Sequence, residues 1–322
     1  MSPKVLVTGS AGQIGAELVP RLRSLYGRDS VVAAVHTSRG DPSLSDGPLV
    51  TLDTGDQAAV VAALREYKVD TVYHLAALLS AKGEKDPQLA WTVNMDGLRN
   101  VLEASRTNGV SQVFWPSSIG AFGPDAPRTN TPQNAPLNPT TMYGVTKVAG
   151  ELLCNYYHAK YGLDVRCLRY PGLISSVAPP GGGTTDYAVE IFYEALRTGS
   201  YTCFLREDTV LPMMYMPDAL KATIQLMEAP ASKVPRHLGY NLAAFSFSAG
   251  ELASEVAKLV PGFKVTYSPD SRQKIADSWP QSVDDAEARR DWGWEPEYDL
   301  AGMAADMVAK LRPRLMREGK GV

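Results

Sequence analysis

Tyr143 and Lys147 stand four residues apart in the segment Tyr143-Gly-Val-Thr-Lys147, a spacing that puts both side chains on one face of an α-helix. A free phenol has a pKa near 10, so its use as a base at neutral pH needs a depression of about three units, roughly 4 kcal/mol. A neighbouring ammonium supplies part of that. An oxidised nicotinamide ring, also positive, supplies more, because opposite charge close by favours the phenolate. The pair therefore reads as an alcohol-oxidising site if the same chain binds a dinucleotide. Taken alone, it reads more readily as a helix with one solvated lysine and one half-buried tyrosine.

The dinucleotide signal lies at the other end of the same half. Gly9-Ser-Ala-Gly12-Gln-Ile-Gly15 follows the β-branched run Val5-Leu-Val-Thr8 directly and leads into a helical pattern carrying Ile14, Leu18, Leu22 and Leu25 on one face. Strand, glycine turn and helix are the context in which such glycines hold a pyrophosphate: Gly9 permits the tight turn, Gly12 lets backbone approach the phosphates, and Gly15 allows close helix packing. The helix start offers free N–H groups and the positive end of its dipole. Pro20 inside this helix is expected to kink it or shorten its regular part. An acid holding the ribose hydroxyls of NAD is expected at the end of the second strand. Here the chain reads Val35-His36-Thr-Ser38-Arg39, so NADP stays open beside NAD, with His36, Ser38 and Arg39 placed to meet a 2′-phosphate.

The elements that must position these groups alternate. Strands are expected near Val5–Thr8, Ser30–Val35, Pro48–Asp53, Thr71–Ala77, Val113–Ser118 and Val165–Arg169, with helices over Gln57–Tyr67, Gln88–Asn108 and Tyr143–Tyr161 between them. This is the alternation of an α/β, Rossmann-type doubly wound parallel sheet. Val148, Leu152, Leu153, Tyr156 and Tyr157 are expected to turn the last helix towards a core. Ser117 and Ser118 come to the carboxyl edge of the sheet, where ligands bind. Residues 1–170 read as the dinucleotide-binding domain. Residues 171–322 read mainly as a smaller, mostly helical substrate lobe interleaved with it, with a helix over Asp186–Arg197, short strands at Tyr201–Leu205 and Val210–Tyr215, and helices near Pro217–Met227, Ser248–Leu259 and Asp299–Leu311.

Composition excludes several classes. A net charge of −3 without a long basic stripe argues against nucleic acid or an anionic membrane as partner. No apolar run reaches the ~18 residues that span a bilayer. Cys154, Cys167 and Cys203 are isolated and odd in number, which fits a reducing cytoplasm rather than a disulfide framework. His36, His74, His158 and His237 show no metal-ligand spacing, so no metal is expected.

Taken together, the glycine turn, Ser118, Tyr143 and Lys147 resemble the extended short-chain dehydrogenase/reductase family over nearly the whole chain. The resemblance implies that Tyr143 takes the hydroxyl proton, Lys147 lowers its pKa and binds the nicotinamide ribose, Ser118 (or else Ser117) orients the substrate oxygen, and Asn94 serves the proton relay. It assigns dinucleotide contacts to Gly9, Gly12, Gln13, Ile14, Gly15, Asp53, Thr54, Leu75, Ala76, Ala77, Asn94, Tyr143, Lys147 and Leu173.

A narrower likeness rests on Ala77-Leu-Leu-Ser80, Arg169-Tyr-Pro-Gly-Leu-Ile-Ser, Pro180-Gly-Gly-Gly-Thr-Thr-Asp-Tyr-Ala-Val, Leu211-Pro-Met-Met-Tyr-Met and Arg272-Gln-Lys-Ile-Ala-Asp-Ser-Trp279-Pro. These look like the short-chain-type L-threonine 3-dehydrogenases, which oxidise the threonine β-hydroxyl to 2-amino-3-oxobutyrate with NAD and without zinc. By that likeness Ser80, Ser118, Tyr143, Thr184, Thr185 and Trp279 contact the substrate. Asp186, in the Gly181-Gly-Gly-Thr-Thr185-Asp186 loop at a helix start, could meet an ammonium. The resemblance to the extended family, whose members usually pair the helices near 88–108 and 143–161, implies a homodimer. No Lys or Arg lies between Arg169 and Arg197, which weighs against the main alternative, a nucleotide-sugar epimerase or dehydratase needing cations for a diphosphate. A second alternative, a dinucleotide sensor without turnover, needs the glycine turn but no base.

Overall fold

The computed structural model describes residues 2–37 and 42–317. Strands are β1 (Val5–Thr8), β2 (Val31–Val35), β3 (Leu49–Thr51), β4 (Thr71–His74), β5 (Gln112–Ser118), β6 (Asp164–Tyr170), β7 (Gly172–Ile174), β8 (Ser200–Cys203), β9 (Val210–Tyr215), β10 (Tyr240–Asn241), β11 (Phe245–Ser248) and β12 (Lys264–Tyr267). Helices are α1 (Gly15–Tyr26), α2 (Gln57–Glu66), α3 (Ser80–Lys85), α4 (Pro87–Trp91), α5 (Gly97–Thr107), α6 (Met142–Tyr161), α7 (Tyr187–Thr198), α8 (Met216–Glu228), α9 (Ala249–Leu259), α10 (Arg272–Asp277), α11 (Ala286–Trp292) and α12 (Leu300–Arg317).

Seven parallel strands run β10-β6-β5-β4-β1-β2-β3. Every residue of β1 and β2 is buried, as parallel strands covered on both faces must be. The two-residue alternation sorts them. Leu6, Val32, Val72, Val113 and Trp115 share a core with α2 and α5 residues and with Cys154 and Tyr157 of α6. Val5, Val7, Val31, Tyr73 and Phe114 share the opposite one with α1 and α8. The doubly wound expectation holds, and β10 adds a strand from beyond residue 171 that no apolar run announces. The later lobe builds its own core from α7, α9, α12 and the small sheet β11-β9-β7, around Phe192, Tyr215, Phe247 and Met307.

Several expected elements differ. α1 continues through Pro20 without shortening, held by the burial of Leu18, Val19 and Leu22, while Leu25 is exposed. β3 and β4 stop at Thr51 and His74, so Asp53 and Leu75–Ala77 lie in loops. The helix expected over 88–108 is α4, a π-helical stretch Thr92–Asp96, and α5. π-bulges of this kind gather at functional sites, and Asn94 sits in this one.

Helix α6 turns a different face inward than its apolar residues suggest. Leu152 and Tyr156 are exposed, whereas Tyr143, Lys147, Gly150, Glu151, Cys154 and Tyr157 are buried. The reason is close approach to β5: a Cβ at Gly150 would lie 2.3 Å from the Trp115 ring. The polar residues of that face find partners inside, so burial does not need them to be apolar.

Candidate active site

The glycine turn is shaped by contact as much as by dihedral preference. Gly9 has φ +68°, and a Cβ there would meet the Ala76 backbone N at 2.7 Å. Only glycine satisfies both the positive φ and the crowding. Gly12 N donates to Gly9 O at 2.9 Å, closing the turn. α1 then starts at Gly15 after Ile14, with no side chain capping its first N–H groups. These donors and the dipole behind them suit a pyrophosphate, so the residues present fit a dinucleotide.

At the end of β2, His36 Nε2 lies 3.8 Å from Asp53 Oδ2, both side chains being about two-thirds exposed. Asp53 Oδ1 accepts from Gly55 N at 2.8 Å. The acid absent from β2 is thus brought beside it from the loop after β3. Ser38 and Arg39, expected near a 2′-phosphate, lie outside the described residues. Thr54 is buried and its carbonyl accepts from Asn100 Nδ2 at 3.0 Å.

The reactive groups gather where β5 meets α6. Thr141 caps α6, its Oγ1 accepting from Gly144 N at 3.1 Å, and this sets the first turn that carries Tyr143. The Tyr143 phenol, buried, is pushed above its ordinary value by loss of water, against which a hydrogen bond with the Ser118 side chain acts. Ser118 Oγ also accepts from Gly120 N at 3.0 Å. Lys147 Nζ donates to Pro116 O at 2.6 Å and lies 5.3 Å from the centroid of the Tyr143 ring. Burial brings this ammonium down to about 8, with Cys167, Cys154 and Glu151 opposing. Ser117 Oγ donates to Glu151 Oε1 at 2.5 Å and is thereby engaged, which leaves Ser118 the better placed of the two serines.

Beneath this centre lies His74, fully buried and pushed down to about 3 by desolvation and, second, by Lys147. Its Nδ1 pairs with Thr8 Oγ1 at 2.7 Å, and its Nε2 has no partner among the described residues. Asn94 Oδ1 accepts from Leu78 N at 2.8 Å, while its Nδ2 donates to Leu78 O and Thr146 Oγ1. It therefore ties the π-helical turn to the loop after β4 and to α6.

One cavity of about 210 Å³ joins these parts. It runs from Gly9, Gly12, Gln13, Ile14 and Gly15 past Leu75, Ala77 and Leu173 to Ser118, Tyr143 and Lys147, and ends at Ser80, Thr184, Thr185 and Trp279. Gln13 Nε2 donates to Leu173 O at 3.3 Å across it. Asp53, Thr54, Ala76 and Asn94 do not line it. Leu79, Tyr170, Pro171 and Gly172 do, and sequence reasoning missed them; the Pro-Gly break after β6 was the available signal, since it must bring backbone back across the strand ends. Ser80 and Thr184 hydroxyls lie 3.2 Å apart. Neither Thr184 nor Thr185 caps α7, which begins at Tyr187 without a side-chain cap. Asp186 also lines the cavity; its Oδ2 accepts from Gly182 N and Gly183 N at 2.6 and 2.8 Å, which ties it to its own loop. Among the described residues no His/Cys/Asp/Glu cluster could hold a metal.

Comparison with known proteins agrees with this geometry. The profile of the NAD dependent epimerase/dehydratase family matches residues 5–243. An uncharacterized epimerase/dehydratase of Staphylococcus haemolyticus (strain JCSC1435) is 50% identical over 313 residues, covering 97% of this chain and 98% of the relative. The solved L-threonine dehydrogenase from Cupriavidus necator in its holo form is 51% identical, with TM-score 0.93 and coverage of 96% and 100%. The L-threonine dehydrogenase of Clostridium difficile is 47% identical, with TM-score 0.94 and coverage of 97% and 98%. The cofactor these relations imply is a nicotinamide dinucleotide, for which the uncapped helix start and crowded glycine turn are suited. The chain belongs to the NAD dependent epimerase/dehydratase family.

Proposed function

We propose that this protein oxidises the β-hydroxyl of L-threonine to 2-amino-3-oxobutyrate with NAD as acceptor. The observation that carries the reading is the composition of the cavity wall. Beyond Ser118 and Tyr143 it is closed by Ser80, Thr184, Thr185 and Trp279, and Lys147 is the only cation among its described lining residues. A nucleotide-sugar diphosphate would call for arginine there; a small zwitterion needs only hydroxyls and free N–H groups. Likeness to two L-threonine dehydrogenases over nearly the full chain supports the same substrate.

Tyr143 removes the hydroxyl proton, and Ser118 donates to the substrate oxygen and holds it. Burial alone raises the phenol, so positive charge has to work against it. Lys147 supplies one such charge and the other comes with the cofactor. When bound, an oxidised nicotinamide accepts the hydride that leaves the substrate carbon. Lys147 further holds the ribose, Asn94 keeps the Leu78 backbone and α6 in place for the proton path, and Leu75, Ala77 and Leu173 flank the ring. Asp53 serves the adenosine end. Residues 1–170 carry the cofactor and the base, and residues 171–322 carry most of the substrate wall.

Mixing the protein with L-threonine and either NAD or NADP, and following reduced nicotinamide by absorbance, tests this directly. A rise with NAD well above that with NADP is expected. A rise with NADP alone overturns the cofactor, and none with either overturns the reaction.

The protein works as a homodimer in a reducing cytoplasm. Leu89, Trp91, Val145, Leu152 and Tyr156 leave an exposed apolar strip on α4 and α6, Cys154, Cys167 and Cys203 are unbridged, and among the described residues no helix is long and apolar enough to cross a membrane. Light scattering at micromolar concentration should give twice the chain mass; a monomer contradicts the dimer.

A further inference from the structure

The end of β5 and the inner face of α6 meet in three successive rungs. Pro116 O accepts from Lys147 Nζ, Ser117 Oγ donates to Glu151 Oε1, and Ser118 bonds to Tyr143. Consecutive strand residues thus meet helix positions 147, 151 and 143, which share a face by their spacing of four. The second rung is the least exposed. Glu151 is wholly buried, and its oxygens also take Arg169 Nε and Nη2 at 2.8 and 2.7 Å and Gly239 N at 3.2 Å. Arg169 lies on β6 opposite Ser117 in the ladder.

A buried ion pair is weak evidence for stability, since apolar residues of the same volume fill such a site as well. The geometry gives this one another use. β4 pairs with β5 only as far as Phe114, so the last four residues of β5 are laddered on the β6 side alone. Side chains alternate along a strand, and Ser117 falls on the side of Val113 and Trp115, the side of α6. Rotation of this strand end about its axis would move the Pro116 carbonyl and the Ser118 hydroxyl together, and the Ser117–Glu151 bond opposes it.

We infer that Glu151 is a positioning residue: through Ser117 it fixes the strand end so that Lys147 meets Pro116 while Ser118 meets Tyr143, an inference that rests on the dehydrogenase reading above. Its carboxylate, held by Arg169, also lies one helical turn beyond Lys147 and favours that residue's ammonium.

The test compares wild type, Ser117→Ala and Glu151→Gln in threonine-dependent reduction of NAD across pH, with NAD binding followed separately by calorimetry. Ser117→Ala removes one hydrogen bond and should lower kcat about tenfold, with KM for threonine and Kd for NAD within about twofold. Glu151→Gln removes a negative charge one helical turn from Lys147 that favours its ammonium, so the alkaline limb of the kcat/KM profile, where Lys147 loses its proton, should move to lower pH. Unchanged kcat in Ser117→Ala overturns the inference, as does a parallel loss of kcat and NAD affinity, which a merely structural role would produce. An unshifted limb in Glu151→Gln overturns the charge role; should that variant fail to fold, Ser117→Ala decides. A wild type inactive with threonine overturns the dehydrogenase reading and the inference with it, whereas an active wild type matched by Ser117→Ala overturns the inference alone.

Discussion

The carboxyl edge of the sheet has a dry end and a wet end. At the dry end Tyr143, Lys147, Ser80 and Thr184 are buried, and nearly every polar atom has a named partner at hydrogen-bond distance. At the wet end His36 and Asp53 stand about two-thirds exposed, 3.8 Å apart. The difference follows from what each would have to do in the proposed reaction. Moving charge between a hydroxyl and a phenolate responds strongly to fixed charges only where water does not screen them. Recognising a ribose needs a few adaptable contacts, and an exposed ion pair contributes at most ~1 kcal/mol. Substitution should therefore be severe at one end and mild at the other.

The sharpest way to break this contrast is at the phenol. Tyr143→Phe should lose about two to four orders of magnitude in kcat while NAD binding by calorimetry stays near wild type; comparable activity would remove Tyr143 from the chemistry. A second effect belongs to acid. His74 has its folded value near 3 against an ordinary 6.5, so the unfolded chain takes up a proton that the native state refuses. Stability from this group is whole above about pH 6.5 and is lost as pH falls towards 3. Urea midpoints measured across that range should fall more steeply for wild type than for His74→Gln, and parallel curves would clear His74 of the effect. The smallest change is expected at the wet end. His36→Asp restores an acid beside the ribose and should raise the NAD over NADP preference in kcat/KM by about two- to fivefold; a change of a hundredfold would mean that this end is built as tightly as the other.

Much of this contrast was legible in the chain itself, for a physical reason. Gly9 and Gly15 are visible because backbone crowding forbids a side chain, and Tyr143 with Lys147 because a helix turns their spacing into adjacency. Thr184 and Thr185 stand just before α7, but they line the cavity and do not cap the helix. Glu151 was not seen at all: an acid four residues after a lysine on a helix looks like a solvated face, and only burial against Ser117 and Arg169 distinguishes it. The exposure of Leu152 and Tyr156 reversed a periodicity argument for the same reason. When the inner face of a helix is held by hydrogen bonds and close approach, apolar residues no longer mark the inside.

Strand β10 carries a consequence for how the protein is made. Tyr240 and Asn241 complete the sheet beside Leu168 and Arg169, about seventy residues after β6 has been synthesised. Until then the outer edge of β6 offers unpaired N–H and C=O groups, the kind of edge on which chains aggregate. At a synthesis rate of roughly 5–20 residues per second, that edge waits several seconds on the ribosome for its covering strand. A gene fragment ending near residue 170 would carry the glycine turn and the Tyr143–Lys147 pair yet keep this edge open, and it should be recovered as aggregate where the longer chain is recovered in solution.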